Sequence, residues 1–330
     1  MESNSFFSNF ISVRKFFLNK VRDLIAISAI KLNIKLKCVE PENFAKPLTK
    51  NNPIKSRRSL PKIIWIYWDS NPPTTVQYCI SLVKKVNPEW DVRFLNSITI
   101  HDYIDIDYDE LQARTHQQKS DVIRLELLYK YGGVWLDASV IVFSSFDIIK
   151  QKIENSQVDM LGFYRDINNI DDEKPFMENW FIASFKESDS LKVWKDEFIK
   201  ALSMGVDKYI ILTKNNNPQA LGNLYDPYYL VCYVAFQNIV DNLSSYLIFD
   251  CDRNSFLYHI TGGVRNTILK RNMWAKYNLI RNFFLHSKPN NLPFMVKLTG
   301  KERDVFERYI TKGFYTKKSL AYHMMNIIRG

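Results

Sequence analysis

Cysteine is scarce in this chain: the 330 residues include four, and no two of them have C-x-x-C spacing. That spacing argues against a zinc site or a redox pair. The small number also argues against a disulfide framework and favours a reducing compartment. No apolar run approaches the roughly 18 residues that a membrane-spanning helix needs. No small-residue cleavage site follows the apolar stretch Leu24 to Ile30, so we expect no secretory signal.

Glycine-rich phosphate loops and nucleic-acid modules are also missing. The sequence contains no G-x-x-x-x-G-K motif, which argues against a P-loop enzyme. Histidine is rare as well, and none of the copies belongs to a recognisable catalytic motif, so we name no general base. The five histidines are His101, His116, His259, His286 and His323.

What the chain does have is a large apolar fraction and an uneven charge. Hydrophobic residues make up 46% and aromatic residues 14%, which predicts a packed core. The length allows one large α/β domain with additions, or two small domains. Residues 1–60 carry a net charge of +8, residues 61–259 carry −9, and residues 260–330 carry +11. Basic ends favour an anionic membrane surface or a diphosphate as partner, ahead of nucleic acid.

The N-terminal sixty residues differ from the rest. Apolar residues recur every three or four positions over residues 1–37 with Lys and Arg between them. This pattern predicts a helix that either lies in a membrane interface or packs on the core. Residues 40–60 contain three prolines and predict a linker. We therefore divide the chain into an extension, 1–60, and a main domain, 61–330, whose part 260–330 is basic and helical.

The main domain opens with alternating strand and helix signals. The segment Ile63 to Tyr67 predicts a buried parallel strand, 76–86 a helix, and 90–95 a second strand. This order is typical of a nucleotide-binding α/β fold, in which ligands bind at the carboxyl ends of the strands. Trp68 and Asp69 stand at that end of the first strand. Further strands are predicted at 140–143, 160–164 and 179–184, with helices at 188–204, 227–249, 302–312 and 318–328.

The stretch from Lys119 to Ser139 is the most informative. Ser120 suits a helix N-cap, and Asp121 and Arg124 lie three apart on one side of the first turn. Gly132-Gly133 predicts the end of that helix. The segment 134–136 predicts a buried strand with Asp137 at its end. A helix start and a strand end could thus direct two carboxylates and a guanidinium at one cleft.

These residues resemble the sugar-nucleotide glycosyltransferases with a DXD motif, in particular the capsular polysaccharide synthesis group. The shared pattern is S-D-x-x-R followed by Y-G-G-V-W/Y-x-D-x-D/T/S, which Ser120 to Arg124 and Tyr131 to Ser139 match. The resemblance is strongest over residues 61–142. It implies a GT-A-type mixed sheet flanked by helices, with added N- and C-terminal helices, and a retaining reaction.

The resemblance also implies roles for individual residues. Asp121 and Arg124 would hold hydroxyls of the donor sugar, and Asp137, with Arg124, would form the catalytic pair. In a DXD motif the first Asp typically contacts the ribose and the sugar, and the last position ligates Mn²⁺ or Mg²⁺. Here the last position is Ser139, a weaker and neutral ligand than a carboxylate. We therefore expect Mn²⁺ or Mg²⁺ at Asp137 with only weak help from Ser139. Two alternatives are that phosphates, water and other residues hold the metal, or that Lys297 or another C-terminal cation replaces it.

Three further donor-binding residues follow from the same resemblance. Trp68 matches an aromatic residue that stacks on the base, although core packing is an equal alternative. Asn179 begins an N-W-F-x-A segment and could hydrogen-bond sugar hydroxyls or serve only as a turn amide. Lys297 belongs to a K-L-T element and could neutralise the donor diphosphate. Val296 stands where we expect a histidine in the group.

We therefore predict a glycosyltransferase that moves a sugar from a UDP- or GDP-sugar to a glycan or lipid-linked glycan of a surface polysaccharide. We expect it to be cytoplasmic and peripheral at the inner face of the plasma membrane, with no nucleic-acid partner. Two alternatives stay open: a sugar-phosphate transferase of a capsule pathway, and a membrane-docked scaffold that retains a nucleotide-sugar fold without catalysis.

Overall fold

A computed structural model describes residues 40–51, 58–108, 110–111, 113–252 and 278–330, together with Lys20, Val21, Leu24, Ser28 and Leu32. The amphipathic helix predicted over 1–37 lies outside the described residues apart from those five positions. The chain divides into two compact units. The larger comprises Glu42–Ser255 and Pro293–Lys297, and the smaller comprises Met1–Pro41, Phe256–Leu292 and Leu298–Gly330.

The larger unit is built on strands. In chain order its described strands are β1 (Leu48–Asn51), β2 (Ile63–Tyr67), β3 (Asp91–Leu95), β4 (Gly133–Leu136), β5 (Val140–Val142), β6 (Met160–Tyr164), β7 (Glu178–Ser184), β8 (Ser245–Asp250) and β9 (Met295–Lys297). Seven of them form one mixed sheet in the order β1-β8-β6-β7-β4-β2-β3, and β5 pairs with β9.

Helices flank this sheet. Those of the larger unit are α1 (Thr74–Val86), α2 (His116–Tyr131), α3 (Asp147–Ser156), α4 (Asp189–Met204), α5 (Val206–Asn216) and α6 (Val231–Ile239), with short 3-10 turns at Thr99–Asp102, Asp166–Asn168, Pro218–Leu221 and Val240–Asn242. The predicted α/β class, a mixed sheet flanked by helices, is confirmed. Every residue of β4, β6, β7 and β8 is buried, as expected for strands covered by helices on both faces.

Strand directions bring most carboxyl ends to one edge of the sheet. β2 is parallel to both β3 and β4. β7 is antiparallel to β4 and to β6, so β6 runs in the direction of β4, and β8 is parallel to β6. The chain therefore leaves β2, β3, β4, β6 and β8 at a single edge, where it also enters β7. Ligands of open α/β sheets bind at such an edge.

Two glycines connect helix α2 to strand β4. Gly132 has φ 69° and Gly133 has φ 99°, conformations that side chains with a Cβ rarely adopt. A Cβ on Gly132 would lie 2.6 Å from the Lys186 backbone nitrogen, and one on Gly133 would lie 2.6 Å from the Ile63 backbone oxygen. The predicted helix end and the strand that follows it are confirmed, and the glycines are needed because the backbones pack closely.

The start of α2 differs from the prediction. Its N-cap is Thr115, which forms a capping box with Gln118: the Thr115 hydroxyl accepts from the Gln118 amide and the Gln118 side chain accepts from the Thr115 amide. Ser120 lies inside the helix, so its predicted N-cap role is wrong. A capping box satisfies two free backbone amides at once, which one serine does not.

Two other predictions are corrected. Within the predicted linker 40–60, Leu48–Asn51 forms edge strand β1, antiparallel to β8. This strand contains one apolar residue and is held by backbone hydrogen bonds, so the sequence pattern gave no strand signal. The helix predicted over 227–249 is helical only at Val231–Ile239, and Ser245–Asp250 is strand β8. The aromatic and β-branched residues of β8 favour a strand.

The described part of the smaller unit is helical. It contains a π-helical segment (Ile280–Leu285) and helices α7 (Gly300–Thr311) and α8 (Leu320–Arg329). Thr299 and Glu302 form a capping box at the start of α7. The two predicted terminal helices are confirmed. Among the described residues of the chain, no helix has the length and apolar character needed to cross a membrane. The single-domain extent predicted for 61–330 stays a prediction.

Candidate active site

Asp137 lies where strand β4 leaves the sheet, at the edge that collects the strand ends. Its backbone amide donates to the Trp180 carbonyl of β7 at 2.9 Å, which fixes the chain as it turns. Its carboxylate is contacted on both oxygens. Oδ1 accepts from Trp135 Nε1 at 3.0 Å and from Arg124 Nη2 at 3.3 Å, and Oδ2 accepts from Lys297 Nζ at 2.6 Å. The side chain is 26% exposed, so it is reachable from solvent.

Two cations keep the Asp137 carboxylate ionised. Burial opposes the charged form, but Lys297 and Arg124 lower the pKa of Asp137 below its ordinary value. Opposite charges within a few ångströms favour the ionised state of a carboxyl group. Asp137 therefore stays negative at neutral pH and cannot act as a general acid.

Arg124 connects this carboxylate to a second, buried one. Its Nη1 lies 3.0 Å from Asp121 Oδ1 and donates to the Asn179 carbonyl at 2.8 Å. The Asn179 side-chain amide donates to the same Asp121 oxygen at 3.0 Å. The structure thus joins three of the predicted site residues, from α2 and from the start of β7, in one hydrogen-bonded group beside Asp137.

Asp121 is the most deeply placed member of this group. It is 1% exposed, and burial raises its pKa to about 7, with Arg124 opposing and Asp137 reinforcing the shift. Asp121 Oδ2 and Arg124 Nε find no hydrogen-bond partner among the described residues. Buried polar atoms without partners cost free energy, and both atoms are closed off from solvent, so a ligand hydroxyl could pair with them only after the surrounding side chains move.

Lys297 reaches the site because β9 pairs with β5. Val140 of β5 faces Lys297 across this antiparallel pair, and Lys297 Nζ lies 3.3 Å from Ser139 Oγ as well as 2.6 Å from Asp137. The lysine side chain is 13% exposed. Although 160 residues separate it from Asp137 in the chain, the strand pairing makes the contact, and Lys297 supplies the second cation of the site.

The donor set at Asp137 does not fit a divalent cation. Mn²⁺ and Mg²⁺ need several oxygen ligands, often two carboxylates. Here Asp137 is the one carboxylate at the turn, both of its oxygens are taken by cationic or indole donors, and Ser139 itself faces the Lys297 ammonium. Among the described residues no cluster of three or more His, Cys, Asp or Glu side chains could hold a metal. We derive no step through a protein-bound metal.

Trp68 occupies the neighbouring strand end and is half-buried there. Its backbone amide donates to the Leu95 carbonyl of β3 at 3.0 Å. The structure thus brings six predicted residues together around Asp137 and places Trp68 at the end of β2, one strand away. The six are Asp121, Arg124, Asp137, Ser139, Asn179 and Lys297.

A second group at the end of β2 was missed by sequence reasoning. The Asp69 carboxylate accepts from the Tyr67 hydroxyl at 2.9 Å and contacts His116 Nδ1 at 2.9 Å. Burial and the Asp69 hydrogen bond raise the pKa of Tyr67, so its hydroxyl stays protonated. Position 116 is 47 residues from position 69 and no local pattern links them. Trp135, also missed, could have been found, because residues two apart in a strand share a face with Asp137.

An α/β sheet with a charged cluster at its strand ends is a class of architecture that many nucleotide-binding enzymes use. Residues 18–206 match the family model of the capsular polysaccharide synthesis proteins, and the chain belongs to that family. The predicted resemblance to this group is therefore confirmed.

Two curated relatives carry glycosyltransferase names. The glycosyltransferase afumC of Aspergillus fumigatus is 32% identical over 155 residues, which are 41% of this chain and 39% of the relative. The O-glycosyltransferase braB of Annulohypoxylon truncatum is 28% identical over 182 residues, 48% of this chain and 41% of the relative. The aligned part of this chain thus spans about two fifths of each relative.

Solved structures of glycosyltransferases are also similar. The galactosyltransferase LgtC, in complex with donor and acceptor sugar analogues, aligns with a TM-score of 0.43 and 12% identity over 81% of this chain and 95% of its own. The glycosyltransferase GlyE of Streptococcus pneumoniae aligns with a TM-score of 0.40 and 11% identity over 79% of this chain and 65% of its own.

Proposed function

We propose that this chain is a glycosyltransferase that moves a sugar from a nucleotide-sugar donor to a glycan acceptor. The observation that carries the proposal is the ionised Asp137 carboxylate held between Arg124 and Lys297 at the carboxyl end of β4. Membership of the capsular polysaccharide synthesis family and the glycosyltransferase names of the relatives support it.

The chemistry of the proposed reaction explains the two cations. As the bond between the anomeric carbon and the donor diphosphate breaks, negative charge grows on the diphosphate oxygen. Preorganised positive groups stabilise such charge most in the transition state. Lys297, which is 13% exposed, supplies this charge by moving from Asp137 toward the diphosphate, while Arg124 keeps Asp137 paired.

The proposed reaction is retaining. The acceptor hydroxyl oxygen bonds to the anomeric carbon on the face that the diphosphate leaves, and the acceptor proton passes to the departing diphosphate oxygen. No protein base is needed, because the departing diphosphate takes the proton, so Asp137 can stay ionised between its two cations throughout the step. Asp137 itself accepts hydrogen bonds from ribose or sugar hydroxyls.

The buried pair would bind the donor sugar. Asp121 Oδ2 and Arg124 Nε are the two atoms that find no described partner, and a sugar hydroxyl offers both a donor and an acceptor for them. Asn179 positions Asp121 through its 3.0 Å hydrogen bond. Trp68 at the adjacent strand end would stack on the nucleobase.

The charge distribution supports a proposal for the cellular setting. The net charges of +8 over residues 1–60 and +11 over 260–330 suit an anionic membrane surface. We propose a cytoplasmic enzyme that works at the inner face of the plasma membrane on a surface polysaccharide or its lipid-linked precursor. A dependence on Mn²⁺ or Mg²⁺, predicted from the DXD resemblance, is a second possibility in which the bound donor would bring the ion.

Hydrolysis of nucleotide sugars tests the proposal. The purified chain is incubated with a panel of UDP- and GDP-sugars in EDTA and, separately, in Mn²⁺. We expect release of UDP or GDP from one donor in both buffers, and loss of at least about 100-fold in Asp137→Ala. Asp105→Ala, an exposed carboxylate on a loop, is the matched control. Release of a sugar phosphate instead would indicate the sugar-phosphate transferase. If the chain shows no turnover and binds no nucleotide, the scaffold alternative is favoured.

A further inference from the structure

The segment between α5 and α6 exposes an unusual group of aromatic side chains. Tyr225, Tyr228 and Tyr229 are 69%, 47% and 54% exposed, and they are the exposed tyrosines of the described part of the chain. The Tyr225 and Tyr229 rings lie 6.4 Å apart at 40°. Clustered exposed aromatics mark binding sites more often than isolated ones. We call these three residues the tyrosine platform.

The platform is held rigidly by its own backbone. The Asp226 carboxylate accepts from the Tyr229 amide at 3.1 Å, and the Asp226 carbonyl accepts from the Leu230 amide at 3.0 Å, so Asp226 shapes the turn that precedes α6. The neighbouring side chains Leu224 and Leu230 are buried and anchor the turn on the core. The tyrosines are therefore presented by a fixed turn, which lowers the entropy lost when a ligand binds.

Helix α2 links the platform to the active site. Gln117 Nε2 donates to the Tyr229 carbonyl at 2.8 Å. Gln117 follows His116, whose ring contacts Asp69 at the end of β2. Arg124 lies seven residues further along the same helix, about 10 Å away at 1.5 Å per residue. The platform thus lies on the helix that carries Arg124, within reach of a short chain of sugars whose last unit meets the donor.

The segment that carries the platform has no cationic side chain of its own, which favours one class of ligand. The chain has 45 Lys and Arg residues, yet no Lys, Arg or His occurs between Lys214 and Arg253, and the residue beside Gln117 on α2 is a histidine, His116. A surface for anionic lipid or nucleic acid would carry such cations. Tyrosines offer flat apolar faces and hydroxyls that both donate and accept hydrogen bonds. That combination suits a neutral, hydroxyl-rich ligand with apolar C–H faces, which is an oligosaccharide.

We propose that the tyrosine platform binds the glycan acceptor, with a sugar ring of the acceptor stacked on Tyr225 and Tyr229, whose ring centroids lie 6.4 Å apart. The proposal rests on the proposed glycosyltransferase function and adds the place and the chemical class of its second substrate.

The test separates glycan binding from donor chemistry. The variant Tyr225→Ala/Tyr229→Ala removes the two paired rings and leaves the backbone carbonyl of residue 229 that Gln117 contacts, and Tyr225→Phe/Tyr229→Phe keeps the rings. Ile211→Ala, which trims another exposed apolar side chain on α5, is the control. Affinities for maltotriose, cellotriose, chitotriose and mannotriose are measured without donor, and donor hydrolysis is measured without glycan.

We expect the wild type to bind at least one trisaccharide and the double alanine variant to bind it at least about tenfold more weakly, a difference of 1.4 kcal/mol. The phenylalanine and Ile211→Ala variants should retain most of the affinity, and donor hydrolysis should be unchanged in all of them. The proposal is overturned if the wild type binds none of the four, if the alanine variant binds equally well, or if it loses donor hydrolysis. If glycan binding depends on the platform but no donor is turned over, the result would contradict the proposed transferase function and support the proposed glycan site.

Discussion

Besides the Asp69–His116 group, two charged clusters lie at the sheet edge. Among the described residues, cations and carboxylates are equal in number in only one of the two. At the end of β4, Asp121 and Asp137 are matched by Arg124 and Lys297. At the ends of β6 and β8, three carboxylates face two cations: Arg165 donates to Asp252 at 2.9 Å and Lys46 to Asp166 at 3.3 Å, with Asp250 close by. We call them the β4 cluster and the β6–β8 cluster.

The difference indicates what each cluster can bind. In the β4 cluster Lys297 can exchange its carboxylate for an incoming phosphate without leaving Asp137 unpaired, because Arg124 remains. Among the described residues, the β6–β8 cluster has more carboxylates than cations, and burial together with Asp166 and Asp252 raises the pKa of Asp250 to about 6. These carboxylates disfavour the binding of an anionic diphosphate there. We therefore place donor chemistry at the β4 cluster and a mainly stabilising role at the β6–β8 cluster.

The largest expected effect is on turnover. Asp137→Asn should lower kcat for donor hydrolysis by at least about 100-fold, because it removes the charge that orders both cations. Asp252→Asn, the equivalent change in the β6–β8 cluster, should leave kcat within about threefold when assayed well below its melting temperature. Equal losses in the two variants would erase the distinction between the clusters.

The next effect concerns stability. Arg165→Met should lower the free energy of unfolding by about 3 kcal/mol, since it deprives the part-buried Asp252 of its guanidinium partner. Lys62→Met breaks the more exposed pair with Asp147 and should cost about 0–1 kcal/mol. Urea denaturation measures both. A loss in Arg165→Met no larger than in Lys62→Met would show that the β6–β8 cluster is not stabilising.

Each cluster also contains one buried carboxyl group with a raised pKa. Asp121 titrates near pH 7 when folded but near pH 4 when unfolded. The folded state therefore holds a proton that the unfolded chain has lost, and the free energy of unfolding falls as pH rises through that window. The amide at position 121 of the Asp121→Asn variant cannot titrate. The free energy of unfolding of this variant, relative to that of the wild type, should therefore increase from pH 5 to pH 8.

Two controls sharpen this pH prediction. Asp250→Asn should show the same trend over a lower window, ending near pH 6, because the raised pKa there is about 6. Asp137→Asn should show the opposite sign: a lowered folded pKa stabilises above the unfolded value, so its penalty shrinks below about pH 4. Thermal melts from pH 3 to pH 8 measure all three. A pH-independent difference for Asp121→Asn would contradict the burial of an ionisable carboxyl group.

The smallest effect on turnover is expected at Ser139, the position that matches the last residue of the DXD motif. Ser139→Ala removes one hydroxyl that accepts from the Lys297 ammonium at 3.3 Å. A hydrogen bond to a charged group contributes about 1.5–3 kcal/mol, and this long contact lies at or below the lower end of that range. We expect kcat for donor hydrolysis to change by less than about tenfold. A loss equal to that of Asp137→Asn would indicate that Ser139 has a ligand role after all.

The β4 cluster shows which parts of the candidate site can be predicted from the sequence. The helix, the glycine pair and the strand that place Arg124 and Asp137 are close in the chain, and local spacing predicted them. The partners of the β6–β8 cluster were not predicted, because Arg165 and Asp252 are 87 residues apart and meet only when β6 pairs with β8. Lys297 was named from a short motif, but its contact with Asp137 depends on the pairing of β9 with β5.

Other wrong predictions concern a strand at the edge of the sheet and the start of a helix. β1 is held by backbone pairing with β8, which leaves no apolar pattern to read. Helix α2 begins at the Thr115 cap and not at Ser120, because Thr115 and Gln118 bond reciprocally, a contact that residue type alone does not predict. Asp69 and His116 meet through the fold alone. In each case a tertiary or reciprocal contact outweighed local preference.

The most direct test is binding of UDP and GDP by calorimetry in EDTA, comparing the wild type with Lys297→Met and with Lys46→Met from the β6–β8 cluster. The account predicts that the wild type binds one of the two nucleotides, that Lys297→Met binds it at least about tenfold more weakly, and that Lys46→Met is unchanged. Equal binding by the wild type and Lys297→Met, or wild-type binding only after Mn²⁺ is added, would contradict the assignment of Lys297 as the cation that receives the diphosphate.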